Sequence, residues 1–232
     1  MQTYHKIQSI FKRDIENTDK SKRKNFLRDQ YTRPEFELLK DIQWRLEYKS
    51  DGSNGSAQYY STKLDDGSFK LERTINGRTS KAQIPIHVLA KMEKLFPADC
   101  SNVSEVFTDS WQNEGFSAIL WGEMVGKKVQ SNGHQYLVNE EDEADFILFD
   151  IRIGHTWLRR ESIEEIAGKL GLRIAPIIGY GTLDDAIQLC KEGFKDPIRE
   201  VEPEGLVCKP KEELLDRRGH RIITKVKLCD FR

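Results

Sequence analysis

Apolar and polar residues alternate along several short stretches of the chain, the first of which is residues 43–49, Gln-Trp-Arg-Leu-Glu-Tyr-Lys. This period of two predicts a strand that carries Lys49 at its end. Residues 56–62 and 68–75 have strand patterns on either side of an Asp-Asp-Gly turn. We predict a tight turn over residues 51–55, so that Lys49 opens an antiparallel meander and not a βαβ unit. That order excludes a simple Rossmann fold.

Longer apolar runs and helical spacings predict the remaining elements. The predicted strands are residues 115–123, 145–153, 204–209 and 221–227. The predicted helices are residues 34–41, a helix that starts at Pro85, and residues 162–170 and 182–190. In the Pro85 helix we expect the apolar residues to face the core, namely Ile86, Leu89, Ala90, Met92, Leu95 and Phe96. Mostly antiparallel sheets with peripheral helices indicate an α+β fold.

Length and composition place the chain among ordinary globular proteins. It has 232 residues, 38% of them hydrophobic, with no internal repeat or linker-like stretch, so we expect a single domain over residues 1–232. Charged residues make up 32% of the chain, and they nearly cancel at a formal net charge of −1. The average charge therefore does not indicate a polyanionic partner.

The charge is distributed unevenly, however, and the N-terminal segment of residues 1–33 is basic. Residues 1–28 contain eight Lys or Arg residues against three acids. Such a segment is a candidate nucleic-acid surface, centred on Lys12, Arg13 and residues 20–24. A solvated helix or tail would show the same composition, and charge alone does not separate the two.

Several other classes of site are unsupported. The four cysteines lack a C-x-x-C pair, and the five histidines lack metal-ligand spacing, so neither a zinc site nor a zinc enzyme is indicated. We expect free, buried thiols. Residues 179–182, Gly-Tyr-Gly-Thr, resemble a phosphate-binding turn but lack a P-loop lysine, so we interpret them as a helix cap. No signal peptide or membrane span is evident, which predicts a cytoplasmic protein.

The candidate chemistry centres on Lys49-Ser50-Asp51-Gly52, a K-x-D-G sequence at the end of the first predicted strand. A lysine that attacks a nucleoside triphosphate must be unprotonated, although the pKa of a free lysine is ~10.4. Nearby cations or desolvation would lower that pKa. Lys225 and Lys227, two residues apart on a predicted strand, would share one face, where they could supply positive charge and bind the attacked phosphate.

Acidic residues complete the chemistry. Glu204 is expected to hold a hydrated magnesium ion near Lys49, because hard cations favour carboxylates and retain several waters. Asp51 is a second candidate for this outer shell. Arg78 follows a glycine after a predicted strand, so its guanidinium could bind a phosphate with two hydrogen bonds.

Together these segments resemble the motifs of the covalent nucleotidyltransferases, which include DNA ligases, RNA ligases and capping guanylyltransferases. The matching segments, in family order, are Lys49-Ser50-Asp51-Gly52, Trp121-Gly122-Glu123, residues 146–151, Glu204-Gly205-Leu206-Val207 and Lys225-Val226-Lys227. The segments around Arg78 and residues 221–225 are similar to those of small ATP-dependent RNA ligases that seal nicks in duplex RNA.

The resemblance implies an ATP-grasp-like adenylyltransferase domain that uses ATP and Mg²⁺ or Mn²⁺. It implies that Lys49 becomes linked to AMP, that Glu123 contacts the ribose or metal-bound waters, and that Phe149 and Val207 stack on adenine. Tyr48 would line the nucleotide site and Arg78 would serve the strand-joining steps. The implied substrate is RNA with 5′-phosphate and 3′-hydroxyl ends, nicked or base-paired, and the protein would act as a monomer.

Two features of the sequence depart from the resemblance. Tyr48 stands where RNA ligases often have glutamate, which puts the adenine contact in doubt, and Ser53 stands where threonine is common. The sequence ends at Arg232, so we expect no OB-fold after the last motif. This favours a minimal RNA ligase. The alternatives are the core of a DNA ligase or capping guanylyltransferase, or a non-ligating protein that binds nucleic-acid ends.

Overall fold

The computed structural model describes residues 2–20, 25–79, 81–139, 141–196 and 200–231. Its strands are β1 (Gln8–Ser9), β2 (Phe11–Arg13), β3 (Phe26–Tyr31), β4 (Trp44–Lys49), β5 (Ser53–Lys63), β6 (Phe69–Gly77), β7 (Ser117–Gly126), β8 (Ala144–Ile153), β9 (Thr156–Trp157), β10 (Arg173–Ile174), β11 (Ile177–Gly181), β12 (Gly205–Pro210) and β13 (Thr224–Lys227). Its α-helices are α1 (Pro34–Leu38), α2 (Ile86–Leu95), α3 (Ser101–Phe107), α4 (Arg160–Lys169) and α5 (Leu183–Glu192). The fold is α+β, as predicted.

The described residues form two compact units, each with its own hydrophobic core. Among these residues, unit 1 consists of those within 2–4 and 51–175, and unit 2 of those within 5–50 and 176–231. The single domain predicted over residues 1–232 stays a prediction. None of the described helices is long and apolar enough to cross a membrane.

Unit 1 is built on one sheet with strand order β10-β8-β7-β5-β6, to which β9 adds beside β8. The long strands β5, β6, β7 and β8 pair antiparallel. Because side chains alternate across a strand, one face of this sheet supplies the core. Ala57, Tyr59, Leu120 and Phe146 lie in that core with Met92 of α2.

Unit 2 is built on a second sheet with strand order β1-β13-β12-β4-β11, together with the β2–β3 pair. β12 lies between β4 and β13 and pairs antiparallel with both. Trp44, Leu46 and Leu206 face the core of this unit, where they join Leu183 and Ala186 of α5. The middle of the sheet therefore has one apolar face, and its other face is available for charged residues.

The predicted strands and helices are confirmed with small shifts at their ends. The prediction that Lys49 opens an antiparallel meander is wrong. β4 lies in the sheet of unit 2, whereas β5 begins at Ser53 in the sheet of unit 1. The expected turn over residues 51–55 is therefore shorter than predicted. The β5–β6 hairpin itself forms as predicted, with its two strands antiparallel on either side of the Asp-Asp-Gly turn.

The helix after Pro85 confirms the predicted core residues only in part. Val88, Met92 and Phe96 are buried, whereas Ile86 is 84% exposed and Ala90 is exposed too. The apolar stripe runs through residues 88, 92 and 96, at intervals of four, which is the helical spacing of a single face. Ile86 lies outside that face.

Residues 179–182 confirm the interpretation as a helix cap. The Asp185 amide donates to Thr182 Oγ1 at 3.1 Å, and the Thr182 amide donates to Asp185 Oδ2 at 2.8 Å. This reciprocal pair is a capping box at the start of α5. The predicted buried thiols outside disulfides are confirmed for Cys100, Cys190 and Cys208, whereas Cys229 is also outside a disulfide but is exposed.

The basic N-terminal segment is neither a tail nor a helix where the structure describes it. Ile10 and Phe11 are buried in the core of unit 2, and β1 pairs with β13 in parallel. Lys22, Arg23 and Lys24, part of the predicted basic surface, lie outside the described residues.

Candidate active site

Lys49 ends a strand whose two faces differ in chemistry. The even positions of β4, Trp44 and Leu46, point into the apolar core of unit 2. The odd positions, Arg45, Glu47 and Lys49, therefore share the opposite face. A strand that alternates large apolar residues with charged ones delivers the lysine to the edge of a charged face.

The register of unit 2 brings the predicted lysines to neighbouring strands. Gly205 at the start of β12 is the Cα partner of Lys49 on one side and of Lys227 on the other. A Cβ atom on Gly205 would lie 2.1 Å from the Val226 carbonyl oxygen and 2.7 Å from Lys227 Cα. Only glycine therefore permits this close strand pairing at the position between the two lysines.

Glu204 is the point at which these lysines meet. Lys49 Nζ donates to Glu204 Oε2, and Lys227 Nζ forms an ion pair with Glu204 Oε1. Burial raises the pKa of Glu204, but the positive charges of Lys49 and Lys227 outweigh that effect and hold the pKa below its ordinary value. Glu204 is therefore an anion that binds both lysines.

Lys225 adds a third cation to the same face. Burial lowers the pKa of Lys225, and the positive charges of Lys227 and Lys49 lower it further. Thr224 and Val226 are buried between these lysines, so Lys225 and Lys227 share a face of β13, as predicted. Three lysines around one carboxylate leave an excess of positive charge, which suits an anionic ligand.

The same face continues into a buried charge cluster that the sequence analysis missed. Glu47 accepts from Arg45 Nε at 2.8 Å and pairs with Lys209 Nζ, also at 2.8 Å. The side chains of Glu47 and Lys209 are each 2% exposed. Arg221 pairs with Glu213 at 2.7 Å beside them. The charged residues at alternate positions, Arg45, Glu47 and Lys49, could have indicated a charged face of β4. They do not indicate that Lys209 of β12 is the partner of Glu47.

Replacing Glu47 should destabilise the protein strongly. In Glu47→Ala, Lys209 and Arg45 would stay buried without their shared carboxylate, so we expect the free energy of unfolding to fall by about 3–5 kcal/mol. Chemical denaturation measures this loss. Glu212→Ala removes an exposed carboxylate just after β12 and should change stability by less than about 0.5 kcal/mol. Equal stability of the two variants would contradict the cluster's role.

In unit 1, Glu123 is positioned by the glycine of the K-x-D-G sequence. The Gly52 amide donates to Glu123 Oε1 at 3.1 Å. A Cβ atom at Gly52 would lie 2.4 Å from the Met124 carbonyl oxygen and 2.9 Å from Glu123 Cγ. The glycine is thus required by the close approach of β7, and this approach fixes one oxygen of the Glu123 carboxylate.

Phe149 lies at an irregularity in β8. Trp121 pairs with Asp150 and the next residue, Gly122, pairs with Leu148, so β8 accommodates Phe149 as an extra residue. Leu148 and Ile151 are both buried in the core, whereas Phe149 is half-buried. A β-bulge of this kind redirects a side chain out of the strict alternation and is common beside functional sites.

The remaining predicted nucleotide-binding residues are placed as follows. Val207 is half-buried on β12, between core residues Leu206 and Cys208, and therefore lies on the charged face of unit 2. Asp51 is half-buried at the start of the unit 1 segment. The Tyr48 side chain lies on the face of β4 opposite Lys49, and its hydroxyl donates to the Val201 carbonyl at 3.0 Å. This placement does not favour the Tyr48 contact with adenine, which stays a prediction.

The predicted RNA-binding residues have different surroundings. Arg78 is exposed directly after β6, at the edge of the unit 1 sheet, and Lys12 is exposed on β2. Arg13 binds both oxygens of Asp230, at 2.8 and 3.1 Å, and its guanidinium lies 4.6 Å from the centre of the Phe26 ring. These contacts neutralise the charge of Arg13 within unit 2 and do not favour an RNA contact, which stays a prediction.

The described residues contain no group of three or more His, Cys, Asp or Glu side chains that could hold a metal ion. The metal roles predicted for Asp51, Glu123 and Glu204 therefore concern single carboxylates and not a preformed cluster of ligands. Such a set suits an ion that keeps most of its water shell, as Mg²⁺ does.

The fold is that of solved RNA ligases. An RNA ligase from Naegleria gruberi solved with PPi matches with a TM-score of 0.55 and 18% identity, over 84% of this chain and 52% of that chain. A substituted form of that enzyme solved with ATP and Mn matches with a TM-score of 0.57 and 14% identity, over 97% and 56% of the two chains. This chain spans about half the length of those structures. At these identities the likeness shows a shared fold.

A search of curated protein sequences found no match. The family model described as RNA ligase matches residues 42–227. That range runs from the strand that carries Lys49 to the last residue of β13, Lys227, and includes Glu123, Phe149 and Glu204. It covers well over half of the 232 residues. The chain belongs to the RNA ligase family.

Proposed function

We propose that this protein is an ATP-dependent RNA ligase that joins 5′-phosphate and 3′-hydroxyl RNA ends through a lysyl-AMP intermediate. The observation that carries the proposal is the convergence of Lys49 and Lys227 on Glu204 across β4, β12 and β13, with Lys225 on the same face. A nucleophile, a carboxylate and two further cations are thereby held on, or next to, adjacent strands of unit 2.

Lys49 is the proposed nucleophile. Its neutral amine attacks the α-phosphorus of ATP, so a P–N bond forms and the bond between the α-phosphorus and the oxygen that bridges it to the β-phosphorus breaks. Pyrophosphate leaves with that oxygen, and the nitrogen gives up one of its two protons to water. Lys49 donates to Glu204 in the structure, and this interaction holds the amine at the end of β4. Lys225 and Lys227 would bind the α-phosphate oxygens as negative charge builds on them.

AMP then passes from Lys49 to the 5′-phosphate of the RNA, which forms a pyrophosphate linkage and restores the lysine. In the last step the RNA 3′-hydroxyl attacks the 5′-phosphorus, a phosphodiester bond forms, and AMP leaves. Both later steps also place negative charge on phosphate oxygens, so Lys225 and Lys227 have the same use in them.

Mg²⁺ or Mn²⁺ fits the proposed chemistry as a hydrated cation, with Glu204 as its main carboxylate and Asp51 and Glu123 as further candidates. When bound, it would neutralise charge on the phosphates. Glu204 has a lowered pKa and is therefore ionised, as a cation ligand must be. In its present contacts the carboxylate is occupied by Lys49 and Lys227.

The nucleotide roles are proposed residue by residue. In unit 1, Phe149 is assigned to the adenine ring, because it is half-buried at the bulge of β8 and lies outside the core that buries Leu148 and Ile151. Glu123, held by the Gly52 amide, is assigned to the ribose hydroxyls. In unit 2, Val207 is assigned to an apolar contact with the base.

The test of this function is incubation with α-labelled ATP or GTP and Mg²⁺, followed by denaturing electrophoresis and then by addition of RNA. Covalent label from ATP that chases into a sealed nick in duplex RNA is the expected result. Label from GTP alone would indicate a capping guanylyltransferase. Sealing of nicked DNA in preference to RNA would indicate a DNA ligase, and the absence of any adduct would indicate a protein that binds ends without joining them. A monomeric state and a cytoplasmic location stay predictions.

Arg78 is expected to serve strand joining and not nucleotide chemistry. Because its guanidinium is exposed after β6, Arg78→Ala should form the lysyl adenylate at a near-normal rate but seal nicked RNA about 10²-fold more slowly. Single-turnover assays of the two steps measure this split. Arg159→Ala removes another exposed arginine of unit 1 and should affect neither step. Equal loss of both steps in Arg78→Ala would assign that arginine to the nucleotide instead.

A further inference from the structure

Residues 2–4 belong to unit 1, although the chain then continues into unit 2, and we call these three residues the N-terminal strap. The Gln2 amide donates to Gln58 Oε1 at 3.1 Å, and Gln58 Nε2 donates back to the Gln2 carbonyl at 2.7 Å. Gln58 is fully buried and is also bonded to Ser56 at 3.0 Å and to Tyr60 at 2.7 Å. The strap is therefore anchored by a buried polar network of β5.

The strap places Tyr4 against Phe149. The two ring centres are 5.1 Å apart with an angle of 73° between the planes, which is an edge-to-face contact. Tyr4 makes similar contacts with Trp121 at 5.6 Å and with Trp157 at 5.7 Å. These distances and angles lie in the favourable range for aromatic pairs. An aromatic side chain from outside the sheet thus packs on the residue at the bulge.

The Tyr4 hydroxyl donates to Asp150 Oδ2, and Asp150 directly follows Phe149. Asp150 is 1% exposed, and a carboxylate at that depth requires hydrogen-bond donors. Tyr4 therefore contacts both the ring of Phe149 and the carboxylate of the next residue. Packing on the bulged residue and a hydrogen bond beside it would together limit the conformations of a side chain that is otherwise half-buried.

We infer that Tyr4 is a positioning residue for nucleotide base recognition, because the N-terminal strap holds the Phe149 ring in one orientation at the bulge of β8. This inference rests on the proposed function, which assigns Phe149 to the adenine ring. It assigns a role in the nucleotide site to a residue that precedes the range matched by the family model, residues 42–227. Tyr4 acts through Phe149, and the phosphate-binding lysines of unit 2 are not involved.

The test compares binding of two ligands by calorimetry. One is α,β-methylene ATP, which carries the base but cannot release pyrophosphate, and the other is inorganic tripolyphosphate, which has no base. Tyr4→Ala should weaken binding of the ATP analogue about tenfold, within the range for stacking of one base on an aromatic ring, and should change tripolyphosphate binding by less than about twofold. Tyr4→Phe keeps the ring and should bind the analogue within about threefold of wild type.

Val88→Ala is the matched control, because Val88 is a buried residue of the core of unit 1. It should lower the melting temperature without changing the affinity for the ATP analogue. If Tyr4→Ala does not fold, Tyr4→Leu, which keeps apolar bulk without a ring or hydroxyl, should show the same tenfold loss. Unchanged analogue affinity in Tyr4→Ala or Tyr4→Leu would overturn the inference. So would equal loss for both ligands, or an equal loss in Val88→Ala.

The inference and the proposed function fail in different ways. Wild-type protein that binds the ATP analogue but forms no covalent adduct with ATP would contradict the ligase proposal. The comparison of Tyr4 variants would remain valid, because it measures binding and not chemistry. Wild-type protein that binds tripolyphosphate but gains no affinity from the base would overturn the role of Tyr4 even if an adduct forms.

Discussion

Lys49→Ala should abolish the covalent AMP adduct. The side chain of Lys49 ends β4 and donates to Glu204, while Lys225 and Lys227 lie on the same face. No alanine side chain can form the P–N bond, so we expect no label above background after incubation with α-labelled ATP and Mg²⁺. Denaturing electrophoresis measures the adduct directly. Label that persists on the Lys49→Ala protein would show that another residue is the nucleophile.

Two controls separate loss of the nucleophile from loss of the fold. Lys211→Ala removes an exposed lysine just after β12 and should keep full labelling. Lys49→Ala supplied with RNA that already carries AMP on its 5′ end should still join the strands, because the attack by the 3′-hydroxyl does not require the lysyl adduct. Failure in that assay by a correctly folded variant would mean that Lys49 has a further role in the last step.

Lys227→Ala should lose most self-adenylylation while the protein stays folded. Removing one donor that stabilises charge in a transition state costs about 10²–10³-fold in rate, and Lys227 is the partner of Glu204 opposite Lys49. Its side chain is 27% exposed, so its removal creates no buried cavity. Single-turnover rates at saturating ATP and the melting temperature measure the two expectations separately.

Lys227→Arg is the informative companion variant, because it keeps the positive charge but replaces the ammonium group with a planar guanidinium. A guanidinium cannot reproduce the compact point charge of an ammonium group, so we expect only partial recovery of the rate. An unchanged single-turnover rate in Lys227→Ala would contradict the account, since it would show that Lys227 acts only as an ion-pair partner on the surface of unit 2.

Features that depend on local sequence pattern could be predicted from the sequence. The alternation in β4 gave the strand and the position of Lys49, and the spacing of Lys225 and Lys227 gave their common face. The cap of α5 could be predicted because Thr182 and Asp185 are three residues apart. In each case the physical cause lies within one element, where periodicity fixes the direction of the side chains.

Features that depend on distant pairing could not be predicted. β1 has two residues, and it forms because Gln8 and Ser9 pair with Thr224 and Lys225 near the other end of the chain. The sequence shows that Glu47 is an acidic residue within a strand. It does not show that Lys209 will be buried against that carboxylate. The division of β4 and β5 between two sheets likewise depends on which strands lie beside them.

The bulge at Phe149 shows the same limit within the candidate site. The sequence predicted a strand there, and strict alternation would place Asp150 on the same face as the core residues Phe146 and Leu148. The extra residue in β8 reverses the alternation, so Ile151 enters the core and Asp150 meets Tyr4. Neither the bulge nor the strap leaves a pattern in the local sequence.

The central claim is that Lys49 forms the covalent link to AMP, and peptide mapping tests it most directly. Wild-type protein is incubated with ATP and Mg²⁺, digested under conditions that preserve the phosphoramidate bond, and analysed by tandem mass spectrometry. We expect AMP on Lys49 and on no other lysine, with loss of the modification after addition of nicked RNA. AMP on Lys225, Lys227 or any other residue, or no modified peptide at all, would contradict it.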